Sequence, residues 1–259
     1  TNEPASSRSK IFNGGKMKYN NFWIGVISSN RAGNVDKMHK ILNFEPTWYV
    51  DKGEAKTYTG TKNINESGGL CESRNELLKE AFKKKLICVQ LSDDLYNLKK
   101  AKNKKEKIDI SFFETLSIIE KSMDENCSFY GGCAPTDNAF YFNEEKPVSL
   151  DKFIVGDFIL IKPCSIFFDE NLKLKEDYDY TLQHLKKYGK VSRCNNILAS
   201  FKHRTNKGGA VAFRTSELEQ QTIKQLHEKW GDQIVLNPRR DNEIFMKYKP
   251  ASNIQGGLF

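Results

Sequence analysis

No apolar run in this chain approaches the roughly 20 residues that cross a bilayer, so a membrane-spanning protein is not expected. No basic-then-apolar leader stands at its start, which argues against a secretory signal. The six cysteines (Cys71, Cys88, Cys127, Cys133, Cys164, Cys194) are scattered, with no Cys-x-x-Cys pair among them. That spacing argues against a zinc site and predicts reduced, mostly buried thiols of a cytoplasmic protein. Gly-x-x-x-x-Gly-Lys and Gly-x-Gly-x-x-Gly are both missing, which removes the P-loop and dinucleotide-binding readings. The chain contains no internal repeat.

What is present is a chain of 259 residues, 38% hydrophobic, enough for a sizeable core. Its net charge is +8, and the basic residues cluster. Lys83-Lys84-Lys85, the run 99–107 with Lys99, Lys100, Lys104 and Lys105, the run 202–207 with Lys202 and Arg204, and Arg239-Arg240 stand out. Such clusters can neutralise the phosphates of a polyanion, which makes nucleic acid a candidate partner. A solvated lysine face explains any one of them equally well.

Read for periodicity, 22–27 is an apolar strand, 31–42 an amphipathic helix and 47–50 a second strand, the βαβ sign of a parallel sheet. Gly68-Gly69 breaks the chain before a helix that Ser73 and Glu76 cap as a box, ending near Lys84. The run 99–107 is expected as a charged linker, 112–123 as a helix, Gly131-Gly132 as a place where backbone approaches a ligand or makes a tight turn, and 140–142 and 153–161 as strands. A helix with Leu174, Tyr178, Leu182 and Leu185 on one stripe follows, with Asp177 and His184 on one side of it. A strand over 192–202, a helix over 216–230 capped by Ser216 and Glu219, and a last strand at 234–236 complete the pattern. Residues 1–20 and 249–259 are expected as flexible tails around a domain at 21–248.

The chain is organised around Leu86-Ile87-Cys88-Val89-Gln90-Leu91-Ser92-Asp93-Asp94-Leu95, a buried strand that stops on paired acids. Adjacent carboxylates at a strand exit need a cation or hydrogen-bond donors, and ligands of open α/β sheets sit beyond these strand ends. A divalent ion bridging Asp94 to a diphosphate is one reading, a turn or helix cap the other. His39, His184 and His227 fall on helices and are expected as surface or satisfied histidines. His203, between a strand and Gly208-Gly209, is the better candidate ligand.

In this order, the features resemble a nucleotide-sugar glycosyltransferase of the GT-A type, a Rossmann-related mixed sheet flanked by helices. Residues 27–32 resemble the segment that receives the nucleotide base, and 66–75 the segment preceding the acidic strand. Ser92-Asp93-Asp94 is similar to the Asp-x-Asp metal motif, with Ser in place of its first acid. Gly131-Gly132 stands where such enzymes carry a glycine loop, Glu176-Asp177 where inverting members carry the acceptor base, and His203 where a late histidine completes the metal shell. More narrowly, Ser29-Asn30-Arg31-Ala32, the stretch 130–138, and Lys175-Glu176-Asp177-Tyr178-Asp179-Tyr180 followed by Tyr188-Gly189-Lys190-Val191 resemble the TET-associated glycosyltransferases of phages and large viruses, over about 22–248.

The resemblance implies transfer of a sugar from a UDP-sugar to a 5-hydroxymethyl pyrimidine, 5-hydroxymethylcytosine in particular, in double-stranded DNA. Asp177 would be the catalytic base, and Asp94 and His203 would hold Mn2+ or Mg2+. Ser28, Asn30, Arg31, Arg74, Asp93, Gly131 and Gly132 would bind the donor. Lys99, Lys100, Lys104, Lys105, Lys202, Arg204, Arg239 and Arg240 would hold DNA phosphates. Two alternatives stay open: a GT-A enzyme with a non-DNA acceptor, and a non-catalytic DNA-binding module on that fold. Finally, Gln255-x-x-Leu258-Phe259 is similar to the short peptides by which phage and bacterial enzymes bind a DNA sliding clamp.

Overall fold

The computed structural model describes residues 21–202, 209 and 214–249. In chain order its elements are β1 (Phe22–Ile27), α1 (Val35–Leu42), β2 (Thr47–Val50), β3 (Ile64–Glu66), α2 (Leu70–Lys83), β4 (Ile87–Ser92), β5 (Leu95–Ala101), β6 (Lys107–Asp109), α3 (Phe112–Glu125), β7 (Tyr130–Cys133), β8 (Val148–Ser149) and β9 (Phe158–Ile161). Then come α4 (Glu176–Tyr188), β10 (Ser192–Cys194), β11 (Ile197–Phe201), α5 (Ser216–Trp230), β12 (Ile234–Leu236) and β13 (Ile244–Met246). Eight strands form one mixed sheet in the order β3-β2-β1-β4-β9-β7-β10-β8.

Alternation along β1 decides the layers. Phe22, Ile24 and Val26 point to one face and pack with Met38 and Leu42 of α1 and Leu116, Ile119 and Met123 of α3. Trp23 points to the other, joining Leu77 and Leu78 of α2 and Leu182 and Leu185 of α4. Period-two strands between period-3.6 helices give two apolar layers around one sheet. The mixed α/β architecture is therefore as expected. No helix among the described residues is long and apolar enough to cross a membrane.

Strands β1, β2, β3 and β4 run parallel, and β9 joins β4 in the opposite sense. Because Phe158 at the start of β9 faces Leu91 near the end of β4, the segment entering β9 sits at the carboxyl ends of the parallel strands. After Ser92 the chain turns through Asp93 and Asp94, and β5 leaves for a second, antiparallel sheet, β11-β5-β6.

Several local expectations are corrected. Helix α2 begins at Leu70, not at a box on Ser73; Gly69 is its N-cap and Ser73 Oγ donates back to the Gly68 carbonyl at 2.9 Å. Gly68, at φ +119°, makes a reversal that a side chain resists, so the helix starts earlier. Helix α5 is capped by Thr215, which accepts from the Leu218 N–H at 3.2 Å, rather than by Ser216. The run 99–107 is no linker but the β5–β6 hairpin. Residues 140 and 141 fall in a 3-10 turn, Ala139–Tyr141, which Phe142 follows as C-cap, the 153–161 strand is confined to β9, and 192–202 divides into β10 and β11.

Gly131 and Gly132 form no ligand loop either. Both are buried in β7, and a Cβ on Gly131 would stand 2.6 Å from Met123 Sδ, while one on Gly132 would collide with Ile154. They make room for α3 and the 154–156 segment against the sheet. Gly131→Ala and Gly132→Ala should each lower stability by roughly 1–3 kcal/mol through overpacking, measured by chemical denaturation. An unchanged midpoint would show that the neighbouring layers yield freely.

Candidate active site

The parallel strands end together on polar residues. One step beyond the paired Ile27 and Ser92 stand Ser28 and Asp93, and Ser28 Oγ donates to Asp93 Oδ2 at 2.5 Å. Tyr58 and Ser28 hydroxyls lie 2.7 Å apart. With its hydrogen on Asp93, Ser28 accepts from Tyr58, which in turn accepts from the Arg31 N–H at 3.3 Å. Arg31 Nη1 lies 2.9 Å from Asp93 Oδ1 and 3.7 Å from Asp94 Oδ2. The acids of the strand exit thus meet donors and a guanidinium, as the burial of adjacent carboxylates requires. Burial still pushes the Asp93 carboxyl up to about 6, against the lowering by Ser28 and Arg31.

Facing this corner is the first turn of α4. Lys175 precedes it in the left-handed region at φ 56°, a conformation that disfavours a residue with a Cβ by roughly 1 kcal/mol. Glu176 is buried and pairs with Arg74, with Nε at 3.2 Å and Nη2 at 3.1 Å from Oε1. Arg74 Nη1 also donates to Gln90 Oε1 at 3.0 Å and the Gly156 carbonyl at 3.1 Å. Burial, the largest influence, disfavours a charged Arg74, but the negative charge of Glu176 together with that of the neighbouring Asp177 and Asp157 outweighs it and keeps the guanidinium ionised. Asp177 turns the other way and accepts from the Gly156 N–H at 3.1 Å. Loss of water, then the negative charge of Glu176, raises the Asp177 carboxyl to about 7.

Between these walls lies a cleft of about 620 Å3, lined by Ser28, Arg31, Asp93, Arg74, Asp157 and Asp177 among others. Lys175 and Arg214 add cations at its rim, and both approach Glu219, at 3.9 and 3.4 Å. Burial lowers the Lys175 ammonium below its ordinary range. Phe153 and Tyr178 stack with centroids 3.9 Å apart at one side.

Five of the predicted site residues, Ser28, Arg31, Arg74, Asp93 and Asp177, therefore meet in one cleft. Arg74 lines the cleft, and its guanidinium is also engaged by Glu176, Gln90 and Gly156, which ties it to the α4 turn. Asn30 is exposed and its backbone N–H donates to Glu54 at 2.9 Å. Gly131 and Gly132 are absent from the lining. His203 and Arg204 lie outside the described residues. Of the helical histidines, His184 is fully buried with Nδ1 3.0 Å from the Tyr180 carbonyl, a satisfied core histidine as expected. Sequence reasoning missed Asp51, Asp157, Lys175 and Arg214; Asp51, following β2 as Asp93 follows β4, carried a signal in its strand-end position.

The carboxylates of Asp93 and Asp94 are hard oxygen donors of the kind Mg2+ and Mn2+ take. The described residues nevertheless do not complete a shell. No three His, Cys, Asp or Glu side chains among them cluster as ligands, and Arg31 occupies the bridging position between the two acids.

No family model matches the chain, and no curated protein matches it. Among solved structures, a mannosyltransferase from Pyrobaculum calidifontis in complex with GDP-Man and Mn2+ is similar at 12% identity and a TM-score of 0.49. That match covers 82% of this chain, which spans 64% of the mannosyltransferase's length. The protein A197 from STIV is similar at 10% identity and a TM-score of 0.41, covering 91% of this chain and 98% of A197.

Two outcomes follow from the electrostatics. The native chain keeps a proton on Asp177 from its ordinary 3.8 up to about 7, so it binds more protons than the unfolded chain across that window. Stability therefore falls as pH rises from about 4 to about 7. Asp177→Asn should flatten that slope and raise the melting temperature at pH above 7; an unchanged slope would mean Asp177 titrates normally. Arg31→Gln, by releasing the paired acids, should tighten Mn2+ binding to the full chain about tenfold, the scale of one charge contact. Unchanged calorimetric titrations would show that Asp93 and Asp94 hold no ion.

Proposed function

We propose that this chain is a glycosyltransferase that moves a hexosyl group from a UDP-sugar to the hydroxymethyl group of a modified pyrimidine, 5-hydroxymethylcytosine, in double-stranded DNA. The observation that carries the reading is Asp177, a carboxylate raised to about 7 on the wall of a strand-end cleft whose opposite corner carries Arg31. A base near neutral pKa is matched to deprotonating an alcohol as it attacks. Arg31, Lys175 and Arg214 in the lining supply positive charge for a departing diphosphate.

In this reading the nucleoside lies over Ser28, Ser29 and Asp51, and the diphosphate reaches toward Arg31, Lys175 and Arg214. The acceptor oxygen attacks the anomeric carbon while Asp177 takes its proton. The bond from that carbon to the diphosphate oxygen breaks, and the nucleoside diphosphate leaves with the electron pair. Since Asp177 acts as base and not as nucleophile, the anomeric configuration inverts. The acceptor base has to leave the duplex stack to enter the cleft.

One basic hairpin, β5–β6, and the arginine-bearing turn of another, β12–β13, support a DNA acceptor from positions beside the cleft. The β5–β6 hairpin starts directly after Asp94, and Lys202 donates its N–H to the Asp94 carbonyl at 3.2 Å. The β12–β13 hairpin, whose turn carries Arg239 and Arg240, is tied to the cleft by Tyr178, which donates to the Ile244 carbonyl at 2.8 Å. Gln255, Leu258 and Phe259 lie outside the described residues; a tethered clamp-binding peptide there remains part of the proposal, raising local concentration on newly copied DNA.

The test is incubation with hydroxymethylated and unmodified DNA and a panel of sugar nucleotides, followed by nucleoside mass spectrometry. A hexosylated nucleoside from the hydroxymethylated DNA alone is expected. Asp177→Asn should cut kcat by roughly 10²–10⁴ with donor affinity kept, and the acid limb of the pH profile near 7 should vanish with it. No adduct with any donor, alongside sugar transfer to a protein or glycan, would overturn the DNA acceptor.

A further inference from the structure

Two large rings stand in water where folding alone gives no reason for them. Phe140 is 66% and Tyr141 72% exposed, and they meet edge to face with centroids 5.5 Å apart. Their neighbours hold them there. Ala139 and Phe142 are buried in a small cluster with Ala101 of β5 and Leu198 of β11. Ser200 Oγ donates to Asp137 Oδ2 at 2.7 Å, and Lys107 Nζ to the Asp137 carbonyl at 3.3 Å. Asn138 caps the turn, its side chain accepting from the Phe140 N–H at 3.0 Å. A short, doubly anchored turn thus presents both rings at little conformational freedom.

The sheet beneath is basic. Lys99 pairs in register with Leu198 and Asp109, and Ala101 with Lys107. Cross-strand partners share a face, so Lys99 and Lys107 stand on the face that carries Ala101, Leu198 and the aromatic turn. Over 99–109, six lysines (Lys99, Lys100, Lys102, Lys104, Lys105, Lys107) oppose two acids, Glu106 and Asp109, a net +4. Glu144 and Glu145, after the turn, are exposed and of the opposite sign, which directs a polyanion to the hairpin side. The same β5 begins at Leu95, next to the acids of the cleft.

We infer that Phe140 and Tyr141 are a stacking platform for unpaired bases of a DNA strand whose phosphates lie along the lysines of the β5–β6 hairpin. This rests on the DNA-acceptor reading above and names the surface that holds the acceptor strand. Aromatic faces beside a basic track are how single strands are bound without sequence preference. Ala101, on which the aromatic turn packs, lies about 23 Å along the strand from Asp94, a span of a few nucleotides, so one base can enter the cleft while others of the same strand stay stacked.

The experiment titrates the full chain into a labelled oligothymidylate and into a blunt duplex of equal length, at several salt concentrations. The wild type should bind both DNAs, and the single strand more tightly, because its bases meet the rings without the cost of leaving a duplex stack. Phe140→Ala/Tyr141→Ala should weaken that binding roughly 10- to 100-fold at an unchanged salt slope, whereas Lys104→Glu/Lys105→Glu should flatten the slope. Both aromatic side chains are exposed, so circular dichroism of the variant should match the wild type. Undiminished binding by the aromatic variant overturns the platform and leaves the DNA reading standing; a wild type that binds no DNA ends both. Loss of binding to a neutral oligosaccharide, with DNA binding intact, would reassign the rings to sugar and overturn the inference.

Discussion

The buried ion pair between Arg74 and Glu176 fixes the geometry of everything around the cleft. Its guanidinium ties α2 to the α4 turn, to Gln90 inside β4 and to the Gly156 carbonyl before β9. Taking two charges out of water costs several kcal/mol per ion unless further hydrogen bonds satisfy them, and here Gln90 and Gly156 do so. Gln90 closes the circuit by donating back to the Arg74 carbonyl at 3.0 Å. Gly156 is part of the design, because a Cβ there would stand 2.8 Å from Arg74 Nη2. With Glu176 committed inward, the next residue on the helix, Asp177, is left to face the cleft.

Much of this was legible in the sequence and some was not, for identifiable reasons. Strands β1, β2 and β12 and helices α1, α3 and α4 stood out because their apolar spacing matches a single period. Asp93, Asp94 and Asp177 were visible because acids at a strand exit or a helix start must be satisfied by something. Gly131-Gly132 misled because adjacent glycines ordinarily mark a turn; the need for space beneath Met123 and Ile154 is a tertiary fact. The lysine-rich 99–107 reads as solvated chain because alternation is hidden when both faces carry lysine, with only Leu98 and Ala101 facing apolar neighbours. In the sequence Arg74 looks free to meet a ligand, since nothing local reveals that its partner lies at Glu176, more than a hundred residues on.

Sheet topology then decides where chemistry can occur. Were β9 parallel to β4, its entry would lie at the opposite end of the sheet from Asp93. Antiparallel pairing brings Gly156 and Asp157 to the exit of β4, where the Ser92 N–H donates to the Asp157 carbonyl at 2.8 Å. The switch from parallel to antiparallel neighbours therefore builds the cleft, and the acids at its two walls come from segments far apart in the chain.

The state of Asp177 is a contest between opposing fields. As a residue of the first turn of α4 it feels the positive end of the helix dipole, and it accepts the Gly156 N–H; both favour the anion. A dipole contributes about 0.3–1 kcal/mol. Raising a carboxyl from 3.8 to about 7 reflects on the order of 4 kcal/mol in the other direction, so desolvation and the neighbouring Glu176 win. Arg74 pulls the other way but more weakly than Glu176, and does not reverse this. The same ion pair that holds the turn in place thus leaves Asp177 partly buried on the cleft wall and close to the negative charge of Glu176. That is the condition under which a carboxylate becomes basic enough to take a proton from an alcohol.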